Sequence, residues 1–417
     1  MSFYMSLAMS VVMKFLNRKL STRYTLLVLM SVCVLSCTDA DSRQQASTSM
    51  VDHGSLGQLP GLLSDWGMLA ISGGQLIPNV GSVPYDLNTP LFTDYAHKFR
   101  TLWIPDGEAA SFSDQGLIDF PVGTVITKTF YYPRDGERLL KARDEALDFG
   151  SEGLKLSQIQ LIETRVLVHR EDGWQGLPYV WNSDQSEAML EITGSSFELS
   201  LYGKGQPSDS TLSMQEALEF TYAVPDFNQC QGCHIENLTT EKMNPIGLKP
   251  RHINRGYTHL ESVDNQITDL VERGLLAESV AFPLKRLPKN AMMLNEQASI
   301  DDRARSYLDI NCGHCHNPNG AGDTSGLFLN ISETDELKLG VCKPPIAAGQ
   351  GTGGRFVGIE PGRPEASILS YRMESVDLGA MMPELGRSTV DHEGVELINR
   401  WITAMEGECG IEEVNLL

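Results

Sequence analysis

Cys312-Gly313-His314-Cys315-His316 is the stretch on which the reading of this sequence turns, and Cys230-Gln231-Gly232-Cys233-His234 repeats its spacing earlier in the chain. Both read C-x-x-C-H. Two thiols two residues apart can each add to one vinyl group of a single porphyrin, and the histidine directly after the second thiol is then held under the ring as an iron ligand. The pattern predicts two covalently attached haems, with Cys230 and Cys233, and Cys312 and Cys315, as the thioether links. His234 and His316 are then the two proximal ligands. Rival chemistries use the same cysteines less fully. Two C-x-x-C pairs can offer four thiolates to one zinc ion, but such a site has no use for the adjacent histidines. A thioredoxin-like redox pair needs a βαβ context, which neither motif has.

Working outward from the second motif, Ser299-Ile300-Asp301-Asp302 is a helix start, a cap followed by an acidic first turn. Ile300, Ala304, Tyr307 and Leu308 share one helical face leading into Cys312. A Gly- and Pro-rich middle follows. The chain then passes through Gly379-Ala380-Met381-Met382-Pro383-Glu384-Leu385-Gly386 to a last apolar stripe of Val395, Ile398, Trp401, Ile402 and Met405, with Asp391 as its N-cap. Iron held by one histidine often takes a thioether sulfur on its other face. Residues 299–405 resemble a class I cytochrome c in their order of helix, C-x-x-C-H, loops, Met-Pro and terminal helix. That resemblance implies an all-α fold for the C-terminal region, and it maps the distal ligand to Met382, with Met381 as the alternative.

The first motif follows Glu219-Phe220-Thr221-Tyr222-Ala223-Val224-Pro225, which reads as a strand and a Pro turn. No Met-Pro loop comes after it. Met243 and His252 are the leading candidates for its sixth ligand. Lys249, His259, His97, His169 or an open, water-bound position are further possibilities.

Residues 56–222 read as β-rich. Val122 to Tyr132, Gln158 to Arg170 and Ser196 to Tyr202 are dense in β-branched and aromatic residues and separated by Gly, Pro and Asp turns, a spacing that suggests a sandwich or barrel. The expected organisation is a signal peptide over 1–37, a polar tether over 38–55 and this β-rich domain. A first haem region over 223–298 and a second over 299–417 complete it.

Several phrases extend the likeness to nearly the whole chain. They are Tyr85-Asp86-Leu87-Asn88-Thr89-Pro90-Leu91-Phe92, Phe120-Pro121-Val122-Gly123-Thr124, Glu163-Thr164-Arg165, Tyr179-Val180-Trp181-Asn182, Asn244-Pro245-Ile246-Gly247 and Met382-Pro383-Glu384-Leu385-Gly386. Together they resemble a family of predicted di-haem c-type cytochromes, many of them lipoproteins. The resemblance implies two haems, electron transfer and, often, a neighbouring gene for a secreted parallel β-helix protein.

Lys14, Arg18, Lys19 and Arg23 precede the apolar run Tyr24 to Leu35, which is the length of a secretory signal and too short to span a bilayer. Val34-Leu35-Ser36-Cys37 resembles a lipobox, with Cys37 as the lipidated residue. The chain thus reads as exported, in the periplasm or attached to the outer membrane. In such an oxidising compartment the two remaining cysteines, Cys342 and Cys409, suggest a disulfide. The formal net charge of −21 disfavours nucleic acid and suits neutral or basic redox partner proteins. The leading expectation is an electron carrier. The alternative is a di-haem peroxidase or oxidoreductase with an open site at the first haem, served by His169 or Glu163.

Overall fold

Residues 59–114, 116–141, 153–203, 217–257, 265–346 and 348–410 are described by the computed structural model of the chain. The signal segment, Cys37, the tether and His259 lie outside them. One open, curled sheet organises the fold. Its strands are β1 (Val83–Tyr85), β2 (His97–Trp103), β3 (Val125–Asp135), β4 (Arg138–Leu140), β5 (Ile159–Arg170), β6 (Gly173–Trp181), β7 (Ala188–Leu190), β8 (Ser195–Tyr202) and β9 (Leu218–Val224). The spatial order is β7-β6-β5-β3-β4-β8-β9, with β2 also paired to β3 and β1 to β2.

β3 and β5 form the centre, and their β-branched and aromatic residues suit a strand buried on both faces. The period of two sends Val125 and Tyr131 of β3 to one face, where they meet Leu63, Trp66, Met68 and Tyr179. Ile126 and Leu167 face the other way, against Ile246, Leu248, Ile253 and Ile310. A register shift between Leu161 and Glu163 lets Leu161 and Val166 share the first face despite their odd separation. It also turns Glu163, Arg165 and Leu167 together toward the second.

Among the described residues there are six α-helices beside this sheet: α1 (Phe227–His234), α2 (Pro250–Ile253), α3 (Gln266–Glu272), α4 (Ile300–Asn311), α5 (Ile368–Glu374) and α6 (His392–Thr403). The expected fold class is corrected here. Strand outweighs helix, 28% against 22%, and in place of the expected sandwich or closed barrel there is one open, curled sheet, whose β8–β9 end packs Leu201 and Tyr222 against Phe130 and Tyr132. The C-terminal region is not an all-α class I cytochrome c fold. Between Asn311 and Ile368 it contains no α-helix among the described residues, only loops, 3-10 turns and isolated bridges such as Val341 to Ile359. The Gly and Pro density of that stretch explains why, since each such residue costs a helix about 1–3 kcal/mol. The region is also joined to the sheet domain. Asp309 accepts from Arg251 at 2.6 Å, and Asp94 accepts from the amide of Thr389 at 2.7 Å.

Candidate functional site

β9 runs to Val224, Pro225 ends it, and Asp226 caps α1 in a reciprocal box with Gln229. The first motif therefore forms the C-terminal half of a short helix seated on β6. A Cβ on Gly176 of β6 would lie 3.1 Å from that of Cys230, so glycine is what lets α1 settle there. The second motif continues from α4, whose cap is Ser299. Beyond Asn311 the chain tightens into turns, with the His316 amide donating to the Cys312 carbonyl at 2.8 Å.

The fold brings the two motifs into contact. The Cys315 sulfur lies 4.0 Å from the Gly232 carbonyl oxygen, and the Leu238 amide donates to the Asn319 carbonyl at 2.8 Å. Each motif opens on its own cleft. The first has a cavity volume of about 250 Å³ and is lined by Cys230, Cys233 and His234 together with Lys128, Arg165, Asp94, Tyr307 and Met381. The second has a cavity volume of about 280 Å³ and is lined by Cys312, Cys315, His316 and Met382, with Leu327, Leu329, Ile359, Ile368 and Met373 as apolar wall. Cys233, Cys312, His314 and Met382 through Leu385 border both clefts.

The donor chemistry fits one iron porphyrin in each cleft. His234 donates through Nδ1 to the Asn244 carbonyl at 2.7 Å, which places the proton on Nδ1 and leaves the Nε2 lone pair for a metal. Burial pushes its pKa down to about 4, so the ring is neutral. Burial also lowers His316, whose Nδ1 is buried with no partner among the described residues. The ring fits only because position 322 is glycine, where a Cβ would come within 2.7 Å of that nitrogen. The four motif cysteines are unpaired, and burial pushes the Cys312 and Cys315 thiols up to about 12. Buried thiols of this kind are poor thiolate ligands and poor redox nucleophiles. Among the described residues no three His, Cys, Asp or Glu side chains converge as a metal site.

Met382 stands on a loop fixed from both ends. Its amide donates to the Arg372 carbonyl at 2.9 Å. Its carbonyl accepts from Arg387 at 2.8 Å, and the same guanidinium donates to the carbonyls of Ser375 and Thr389 at 2.8 and 2.9 Å. Asp94, from the segment before β2, accepts from the amides of Ser388 and Thr389 and from the Thr389 hydroxyl at 2.7–2.8 Å. The Met382–Pro383 peptide is cis.

The other candidates lie elsewhere. Met243 is buried against Gly176 beside Cys230. His252 is buried with Nδ1 3.3 Å from the Asn290 amide nitrogen and Nε2 3.6 Å from Asp309. Neither lines the first cleft. Lys249 is paired with Glu236, His97 stacks on Tyr131 and His169 on Trp174. The Cys342 and Cys409 sulfurs lie within bonding distance. Residues that the motifs did not point to are Lys128, Arg165, Asp94 and Arg387. Lys128 carried one legible signal, a charge on the inward beat of an apolar strand.

No described helix is long and apolar enough to cross a membrane. A scan against protein-family models and searches of curated proteins and of solved structures each find no match.

Proposed function

We propose that this chain is an exported di-haem c-type cytochrome that passes electrons between two neighbouring haems. One observation carries the reading: two C-x-x-C-H segments, far apart in sequence, meet at Cys315 and Gly232 and open on two clefts with a common wall. When bound, each haem supplies a one-electron iron couple whose potential follows its axial ligand and burial. Cys230 and Cys233 hold the first and Cys312 and Cys315 the second, with His234 and His316 as proximal ligands. Met382 offers its thioether to the second iron, which raises the potential there. The peroxidase alternative needs a mobile acid–base group at the first cleft, and Glu163 is already engaged by Arg165 and Tyr222. Cys37 provides the membrane attachment, and basic or neutral redox proteins are the partners.

The test is the holoprotein matured with a haem-attachment system. Its mass should exceed that of the processed chain by two haems, and Met382→Ala should remove the methionine–iron charge-transfer band of one of them. A colourless product would sink the proposal, and a surviving band would sink the assignment of Met382.

A further inference from the structure

Three cations stand directly opposite one another across three neighbouring strands. Arg100 of β2 pairs with Lys128 of β3, and Lys128 pairs with Arg165 of β5. Direct cross-strand partners point their side chains to the same face, and like charges there repel. Two of the three are compensated. Arg100 meets Asp86 at 2.8 Å, and Arg165 meets Glu163 at 2.8 Å. Glu163 is fully buried and also accepts from the Tyr222 hydroxyl at 2.6 Å, so its oxygens are taken. Lys128, in the middle, has the face of Phe130 5.0 Å from its Nζ. No carboxylate lies within ion-pair distance of it among the described residues. An ammonium walled in by protein without a counter-ion is costly, and flanking cations add to that cost. Lys128 and Arg165 both line the first cleft, with Cys230, Cys233 and His234.

We propose that this wall is an anion site that receives the propionate carboxylates of the first haem, with Lys128 as its centre and Arg165 beside it. The inference deepens the haem reading and rests on it. A haem c has only two kinds of peripheral handle. The thioethers go to Cys230 and Cys233, which leaves two carboxylates seeking cations in the same cleft. An incoming carboxylate supplies the charge that the row lacks and that Glu163 cannot share. Lys128 is therefore a positioning residue, holding the haem through its edge and not through its iron.

The test compares wild type, Lys128→Met and Lys128→Arg as matured holoproteins. The readouts are haem count by mass, carbon monoxide binding and the reduction potential of each haem, the second haem being recognised by its Met382 band. In Lys128→Met both haems stay attached, the potential of the first falls because a nearby positive charge is lost, and the second is unmoved. Lys128→Arg, which keeps the charge, returns the first potential toward wild type and is the variant to read if the methionine protein does not accumulate. There the propionate bands in the vibrational spectrum should shift for the first haem alone. Two attached haems with an unmoved first potential, or unshifted bands in the arginine variant, overturn the proposal. A first haem that turns high-spin and binds carbon monoxide in Lys128→Met also overturns it, since Lys128 would then be an iron ligand. A wild-type protein without two haems overturns the preceding reading instead.

Discussion

Asp309 accepts hydrogen bonds from Arg251, from Asn290 at 2.9 Å and from the Ile331 amide at 3.1 Å, and so ties α4 to the segments on either side of it. Burial pushes its pKa up, but Arg251, His252 and Asn290 more than offset this and hold it at about 2. The folded value is below the unfolded one of about 3.9, so its stabilisation is complete above that pH and is lost as pH falls toward 2. Denaturant titrations at pH 6, 4 and 2.5 should show this loss in wild type and a flatter profile in Asp309→Asn. At pH 6 that variant should be less stable by about 3–5 kcal/mol, because Arg251 is left without its partner. At this scale the cysteines and histidines of the motifs were readable, since the chemistry needs only local spacing. Asp309 was not, because its partners Arg251, Asn290 and Ile331 come from other segments.

The α4–α6 crossing is set by Gly394. A Cβ there would sit 2.4 Å from the Tyr307 hydroxyl, which donates to Asp391, the cap of α6, at 2.8 Å. Alanine is the better helix former by about 1 kcal/mol, yet Gly394→Ala should destabilise the protein by about 1–3 kcal/mol through overpacking. Thermal unfolding of the variant checks it, and an unchanged or raised midpoint would contradict it. The elements themselves were largely visible from pattern. The runs at Val122 to Tyr132, Gln158 to Arg170 and Ser196 to Tyr202 coincide closely with β3, β5 and β8, and Ser299 and Asp391 do cap their helices. The bulge in β5 was not visible, although it puts Glu163 and Arg165 on one face, from which Arg165 reaches the first cleft. Register depends on the partner strand, and the strand's own sequence does not encode it.

Across the whole molecule, distant clamps hold the clefts together. Asp94 bridges the segment before β2 to the Met382 loop, and Asp94→Ala should cost about 1–3 kcal/mol and weaken the methionine–iron band on mild warming before global unfolding. A band that persists up to the unfolding midpoint would contradict this. The Cys342–Cys409 link joins residues 67 apart, and replacing both by serine should lower stability by up to about 4 kcal/mol on the chain-entropy account, measurable by denaturant titration. The likeness to a free-standing all-α domain misled because helix signals at both ends of a region say nothing of what lies between them or what they pack against. What the sequence determined by itself was local pattern, namely two C-x-x-C-H spacings, a Met-Pro loop and the alternating strands, each written within a dozen residues. Only the tertiary structure decided that the two motifs touch, that one loop borders both clefts and that Lys128 and Arg165 line the first. Those facts arise from packing between segments tens to hundreds of residues apart, where no local pattern reaches.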